Sequence, residues 1–224
     1  MAPGGDVEAL NDRLSREYPI DDYYARSPLP IRLIEQRRLR IIRAFIGDAR
    51  GLDLAEVGSG GGHVLRMFFG ARITAIDVSG AYLEVARKNL AGYDARFVKG
   101  EVDKLDLPAA SFDRIVCTEV LEHTVDPEAV LGAIARLLRP AGVAAITVPN
   151  DPLILGLKDA VRRTPVGWAL GDRVKWGGDE YHLHQWRPAE FEQLLGRHLR
   201  VTDRRMAPFD AMPIRACFRC VRRS

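Results

Sequence analysis

The chain has 224 residues, 47% apolar and 28% charged, and its 33 Lys and Arg against 30 Asp and Glu leave a net charge of +3. That length suits a single core, and the composition excludes collagen-like, coiled-coil and low-complexity classes. So small a basic surplus does not by itself argue for nucleic acid or anionic lipid. No run of about 18 uncharged apolar residues occurs, so no transmembrane helix is expected. Residues 1–18 carry Asp6, Glu8, Asp12, Arg13, Arg16 and Glu17 instead of the apolar stretch of a secretory signal, which leads us to expect a cytoplasmic protein. Three cysteines, Cys117, Cys217 and Cys220, fit a reducing compartment.

Residues 1–30 are polar and punctuated by Pro19, Pro28 and Pro30, as in an arm or short helix. From Ile31 to Ile46 the residues Ile31, Ile34, Leu39, Ile42, Phe45 and Ile46 recur at helical spacing. Arg32, Arg37, Arg38, Arg40 and Arg43 interleave with them and read as a solvated face opposite a core stripe. Strands are then expected at Leu52–Val57, Arg72–Val78, Ala95–Val98, Phe112–Cys117 and Val143–Val148. Helices are expected at His63–Phe69, Ala81–Leu90 and Pro127–Leu138, the last stopped by Pro140 and Gly142. Such alternation predicts βαβ units and a doubly wound α/β sheet, seven-stranded and mostly parallel, with helices on both faces.

Residues 151–180 break the rhythm with Pro152, Pro165, five glycines and two tryptophans, and with a helical piece near Leu153–Arg162. They are too long for an ordinary connection and read as an insertion after the fifth strand. Trp168, Trp176 and Trp186 lie in or beside it, suited to a substrate pocket or a satellite core. A helix at Pro188–Arg197 and strands at Leu199–Met206 and Pro213–Val221 close the pattern. Cys217 and Cys220 fall in that final strand, where residues three apart face opposite ways, so their C-x-x-C spacing is not a redox or zinc motif.

The segment Glu56-Val57-Gly58-Ser59-Gly60-Gly61-Gly62-His63 sits where a buried strand meets a helix, at the edge where doubly wound folds bind ligands. A dinucleotide fingerprint needs Gly or Ala at position 63, where the chain has His63. Asp77, nineteen residues after Gly58, ends the next strand, where it meets ribose hydroxyls. Glu56 adds a charge that repels a diphosphate and suits a cofactor with an ammonium and a sulfonium.

These features resemble the class I S-adenosylmethionine-dependent methyltransferases, in the broad group that includes the ubiquinone and menaquinone biosynthesis enzymes. The likeness continues through Gly100-Glu101-Val102, Ser111-Phe112-Asp113-Arg114-Ile115-Val116, Glu119-Val120-Leu121-Glu122-His123 and Leu138-Arg139-Pro140-Ala141-Gly142, in family order across residues 52–150. Ala141 departs from a frequent glycine, a surface-turn change expected to be harmless. The resemblance implies that Gly58, Gly60 and Gly62 line the methionine half of the cofactor, with Glu56 toward its charged groups. Asp77 would bind the ribose, Val78 the adenine face, and Glu101 with Val102 the adenine edge. Thr118 and Glu119 would flank the sulfonium.

If Glu119–His123 makes a helical turn, Glu119, Glu122 and His123 share one face and, with His182 from the end of the insertion, suit a divalent metal. Without metal, His123 or His182 suits a general base; a purely structural role is the third reading. Chain 1–224 is therefore expected to be one domain, with cap helices in 1–46 and a substrate lid in 151–180. Its expected activity is methyl transfer to a small molecule, with O-methylation ahead of N- or C-methylation. The alternatives are an RNA 2′-O-methyltransferase-like enzyme, which the absence of an RNA-binding module and the low charge disfavour, and an NAD(P)-binding oxidoreductase, which His63 disfavours.

Overall fold

The computed structural model describes residues 27–171 and 181–223. Helix α1 (Leu29–Ile46) carries Pro30 in its first turn and is closed by Gly47. Strand β1 (Asp53–Val57) leads into the glycine turn, followed by a single 3₁₀ turn at Leu65–Met67 where a longer helix was expected from 63 to 69. Strand β2 (Arg72–Asp77), helix α2 (Gly80–Asn89), strand β3 (Ala95–Lys99) and strand β4 (Phe112–Thr118) follow. Next come helix α3 (Pro127–Leu137) and the long strand β5 (Leu138–Pro149). The Asp126 carboxylate caps α3 by accepting from the Ala129 N–H at 3.0 Å, with Pro127 opening the first turn. The chain then runs through α4 (Asp151–Arg162), α5 (Pro165–Leu170), α6 (Pro188–His198), β6 (Leu199–Phe209) and β7 (Met212–Arg222).

The seven strands form one sheet in the order β3-β2-β1-β4-β5-β7-β6. Strands β1 to β5 pair in parallel, whereas β7 runs antiparallel to both β5 and β6. The sheet is therefore mixed: four of its six pairings are parallel, as expected, and one antiparallel hairpin closes it. The cause is local: two residues, Asp210 and Ala211, separate β6 from β7, and so short a link permits only antiparallel pairing.

Side chains alternate between two cores. Ile115 and Cys117 of β4 and Ala144, Ile146 and Val148 of β5 pack with Leu131, Ile134, Phe191 and Leu195 of α3 and α6. Val116 and Ala145 turn to the opposite face, with Ile41, Ile42 and Phe45 of α1 and Leu83 of α2. Each such large aliphatic side chain contributes about 1.5–3 kcal/mol by leaving water. Cys217 and Cys220 enter different cores, and burial holds both thiols up at about 12.

Two arginines lock the starts of β1 and β4, at the edge away from the glycine turn. Arg72 clasps Asp53 through two N–H bonds of 2.7 and 2.8 Å. Arg139, carried on the excursion that separates the Phe112–Leu138 and Arg114–Val143 pairings, meets Asp53 at 2.9 Å and also bonds Asp113. Ala141 lies exposed on that excursion. The hydrogen bond from Arg72 lowers the Asp53 carboxyl to about 2 against an ordinary 3.8. A depressed carboxylate stabilises the fold above its unfolded pKa and loses that contribution as pH falls through its folded value. Asp53→Asn is thus expected to be less stable than wild type in urea at pH 6, with the gap closing as pH falls from about 4 to about 2. A gap of constant size would contradict this assignment.

Candidate active site

The carboxyl ends of β1, β2 and β4 open into a cavity of about 1440 Å³. Its shape depends on Asp77, only 7% exposed, whose two oxygens accept from different segments. Oδ2 takes the Gly60 N–H at 2.7 Å and Oδ1 takes the Ser79 N–H at 2.9 Å. Ser79 then caps α2 by accepting from the Tyr82 N–H, and Asn89 at the far end of α2 donates to the Gly61 carbonyl at 2.9 Å. One carboxylate and one helix thus hold the turn against the sheet edge.

Glycine is required in this turn. Gly58 has φ +67°, and a Cβ there would lie 2.3 Å from Val120 Cγ2. Gly60 has φ +49°. Gly58, Gly60 and Gly61 line the cavity, together with Val78, Glu101, Val102 and Thr118. Gly62 does not line it. It packs against α2, where a Cβ would come within 3.2 Å of Leu90. Glu101, half-exposed, forms an ion pair with Lys104 at 2.7 Å.

Glu56 lies on the cavity wall, 1% exposed, and its Oε2 has no hydrogen-bond partner among the described residues. Burial pushes its carboxyl well above the usual carboxylate range; Arg38 partly opposes the shift and Asp77 adds to it. A buried, orphaned acceptor of this kind fits a ligand that brings a positive charge or a polar N–H.

Residues 119–123 do not form the expected helical turn. Glu119 has φ +55°, and the 3₁₀ turn covers only Leu121–His123. Glu119 turns to β5 and β7, accepting from Thr147 Oγ1 at 2.8 Å and pairing with Arg215 at 2.8 Å. It therefore stands apart from the cluster in which Glu122, His123 and His182 each offer one ligand atom, all within 4.8 Å of one another. Glu122 is 1% exposed with Oε2 unpartnered among the described residues, and burial, followed by the nearby Glu119 charge, pushes its carboxyl well above the usual range. Two imidazoles and a carboxylate are donors suited to a divalent transition metal. The rings of His123 and His182 meet edge to face at 4.8 Å. His123 Nδ1 bonds the Tyr181 carbonyl at 3.0 Å, and His182 Nδ1 bonds Asp151 Oδ2 at 2.7 Å.

Several residues of this wall were not singled out from sequence. Arg38, counted among the solvated arginines, is buried and pairs with Glu35 at 2.8 Å. Glu35 also reaches Arg215 at 3.5 Å. Their signal was the i,i+3 spacing of Glu35 and Arg38 on a helix, which is equally common on exposed faces. Asp151 follows Asn150, whose side chain caps α4 and donates to the Pro213 carbonyl. Trp186 stacks on His184 and packs against Phe191, whereas Trp168 is 87% exposed. Neither lines the cavity, and Trp176 lies outside the described residues.

A seven-stranded α/β sheet with a reversed β7 and a cavity over the glycine turn is the methyltransferase fold. Solved structures share it. One is 1,6-didemethyltoxoflavin-N1-methyltransferase from Burkholderia thailandensis, solved with S-adenosylhomocysteine, with TM-score 0.67, 20% identity, and coverage of 100% of this chain and 92% of that one. An S-adenosylmethionine-dependent methyltransferase from Mesorhizobium loti gives TM-score 0.64 and 20% identity over 84% and 100% of the two chains. Residues 55–146 match the methyltransferase domain family. Among curated relatives, the ubiquinone biosynthesis O-methyltransferase of Xanthomonas oryzae pv. oryzae is 33% identical over 147 residues, 63% of this chain and 56% of the relative. That of Xylella fastidiosa is 34% identical over 153 residues, 62% and 60% of the two chains. The chain thus spans a little over half the length of these relatives.

Gly58→Ala is expected to lower stability by about 1–3 kcal/mol, from positive φ and the Val120 clash together. Thermal denaturation of Gly58→Ala and of Gly58→Ala/Val120→Ala checks this. The double variant should regain part of the loss, and no regain would refute the contact.

Proposed function

We propose that the protein transfers the methyl group of S-adenosylmethionine to a hydroxyl of a small acceptor. The observation that carries this is one cavity lined both by the Asp77-held glycine turn and by the His123–His182 cluster. Its volume of about 1440 Å³ exceeds the about 300–1,000 Å³ of a site for one drug-sized ligand, so cofactor and acceptor can share it.

S-adenosylmethionine supplies the methyl group on a sulfonium, which needs only in-line alignment with the acceptor oxygen and exclusion of water. In this reading Gly58 and Gly60 bring backbone against the methionine half, and Glu56 accepts from its ammonium. Asp77 accepts from the ribose hydroxyls, Val78 and Val102 flank the adenine, and Glu101 meets its edge. Thr118 and Glu119 border the sulfonium side, with Glu119 held off by Arg215. His182 or His123 takes the acceptor's proton. Ile31 and Ile34 from α1 and Ile154 and Leu155 from α4 line the same cavity, which supports a cap in 1–46 and a lid in 151–180 within one domain; residues 1–26 and 172–180 of these lie outside the described residues. Their apolar character suits a partly apolar acceptor. No described helix is long and apolar enough to cross a membrane.

A divalent ion held by Glu122, His123 and His182 is a second reading, favoured by their 4.8 Å convergence; it would act as a Lewis acid on the acceptor oxygen. Metal analysis of the purified protein decides it: turnover that survives complete chelation rules the ion out.

The main test offers methyl-labelled S-adenosylmethionine with phenols, catechols, amines and active-methylene compounds. Label is expected on a hydroxyl oxygen. Transfer to nitrogen or carbon overturns the hydroxyl assignment, and a protein that fails to bind the cofactor overturns the whole reading. Asp77→Ala should weaken cofactor binding about 10–100-fold, the loss of charge-assisted hydrogen bonds worth about 1.5–3 kcal/mol.

Glu56 yields a further expectation. Burial raises its carboxyl well above the usual range and so favours the protonated form before the cofactor arrives, and an ammonium beside it favours the ionised form. Binding of S-adenosylhomocysteine should therefore release up to about one proton near neutral pH. Calorimetry in two buffers of different ionisation enthalpy measures this release, and Glu56→Gln should abolish it.

A further inference from the structure

The two imidazoles facing the cavity are held through the same atom. His123 Nδ1 meets the Tyr181 carbonyl, and His182 Nδ1 meets the Asp151 carboxylate. A carbonyl or a carboxylate oxygen can only accept, so each Nδ1 is the ring atom that carries hydrogen, and in the neutral ring Nε2 is the lone-pair nitrogen. His184, two residues on, is held the other way: its Nε2 meets the Thr124 carbonyl at 3.0 Å, and its ring stacks on Trp186 away from the cavity.

Asp151 is well placed to set a tautomer because it is itself held. It lies in the first turn of α4 and is 7% exposed. Its neighbour Asn150 is tied to β7 at both levels: its N–H donates to the Ile214 carbonyl at 3.0 Å and its side chain to the Pro213 carbonyl at 3.0 Å. The carboxylate thus extends from a point fixed to the sheet, while His182 belongs to the segment that returns from the insertion. The Leu183 and His184 N–H groups both donate to the Glu122 carbonyl, at 2.8 and 3.2 Å, and fasten that segment beside the 3₁₀ turn.

We propose that Asp151 is the positioning residue of this site, holding His182 as its Nδ1–H tautomer so that Nε2 is presented to the acceptor hydroxyl. Its purpose rests on the methyl-transfer reading above. As the new oxygen–carbon bond forms, the acceptor O–H proton moves to His182 Nε2 and the carbon–sulfur bonding pair returns to sulfur. The resulting imidazolium keeps its Nδ1–H on Asp151 and afterwards gives the Nε2 proton to water. An acid in the first turn of a helix also favours the helix dipole, but that role has no bearing on which nitrogen of His182 bears hydrogen.

The test is a tautomer measurement. Protein labelled with ¹⁵N and saturated with S-adenosylhomocysteine is observed by long-range ¹H–¹⁵N spectra, about two pH units above the ordinary imidazole pKa of about 6.5, with His182→Ala identifying the signals. Wild type is expected to carry hydrogen on Nδ1, Asp151→Glu to keep that state, and Asp151→Asn to lose it, because an amide can donate as well as accept. Turnover of Asp151→Asn should fall about 10–100-fold with the KM for S-adenosylmethionine unchanged. An Nε2-protonated His182 in wild type, or an Asp151→Asn spectrum identical to wild type, overturns the proposal. If Asp151→Asn does not fold, as judged by loss of binding heat, the wild-type and Asp151→Glu spectra still decide. A wild type that binds cofactor yet methylates no hydroxyl sinks the hydroxyl reading while the tautomer result stands separately.

Discussion

The arrangement of the site depends on one carboxylate. Asp77 accepts from the Gly60 and Ser79 N–H groups, joining the turn after β1 to the start of α2. Charge-assisted hydrogen bonds to backbone N–H are about twice as strong as neutral ones, and two of them from separate segments fix a turn whose glycines have little stiffness of their own. Because the carboxylate ends a buried parallel strand, its position is set by the sheet rather than by a loop. A ligand over this turn meets backbone that needs little reorganisation, which lowers the cost of binding.

A second constraint is charge. Glu35, Arg38, Glu119 and Arg215 meet on the cavity wall, drawn from α1, the end of β4 and β7. Isolated charges in such a place are costly, and pairing offsets much of that cost. The pairing also ties α1 to the sheet beside the cavity, so the helix is held by electrostatics as well as by Ile41, Ile42 and Phe45 beneath it. Against this paired background, one oxygen each of Glu56 and Glu122 stays without a partner among the described residues.

The histidines illustrate how position along the chain translates into chemistry. His123 follows β4 directly, whereas His182 and His184 come back from the far side of the insertion, nearly sixty residues later. Their neighbours, not their identity, separate them: Nδ1 is engaged in the first two and Nε2 in the third. An imidazole's usefulness as a base depends on which nitrogen keeps its lone pair, and that is assigned by partners remote in sequence.

Much was legible from the sequence alone. The period of apolar residues named the strands and helices, because burial on one or two faces leaves a repeating imprint. The glycine turn, Asp77 and the strand nature of Cys217 and Cys220 followed from spacing, since local geometry decides them. What tertiary structure alone decided involves partners distant along the chain. The place of Gly62 comes from its packing on α2, and that of Glu119 from the pull of Arg215 almost a hundred residues away. Arg38 looked like one more solvated cation until the fold brought Glu35 and the cavity around it. Periodicity records which side chains leave water; it carries no record of which one each will meet there.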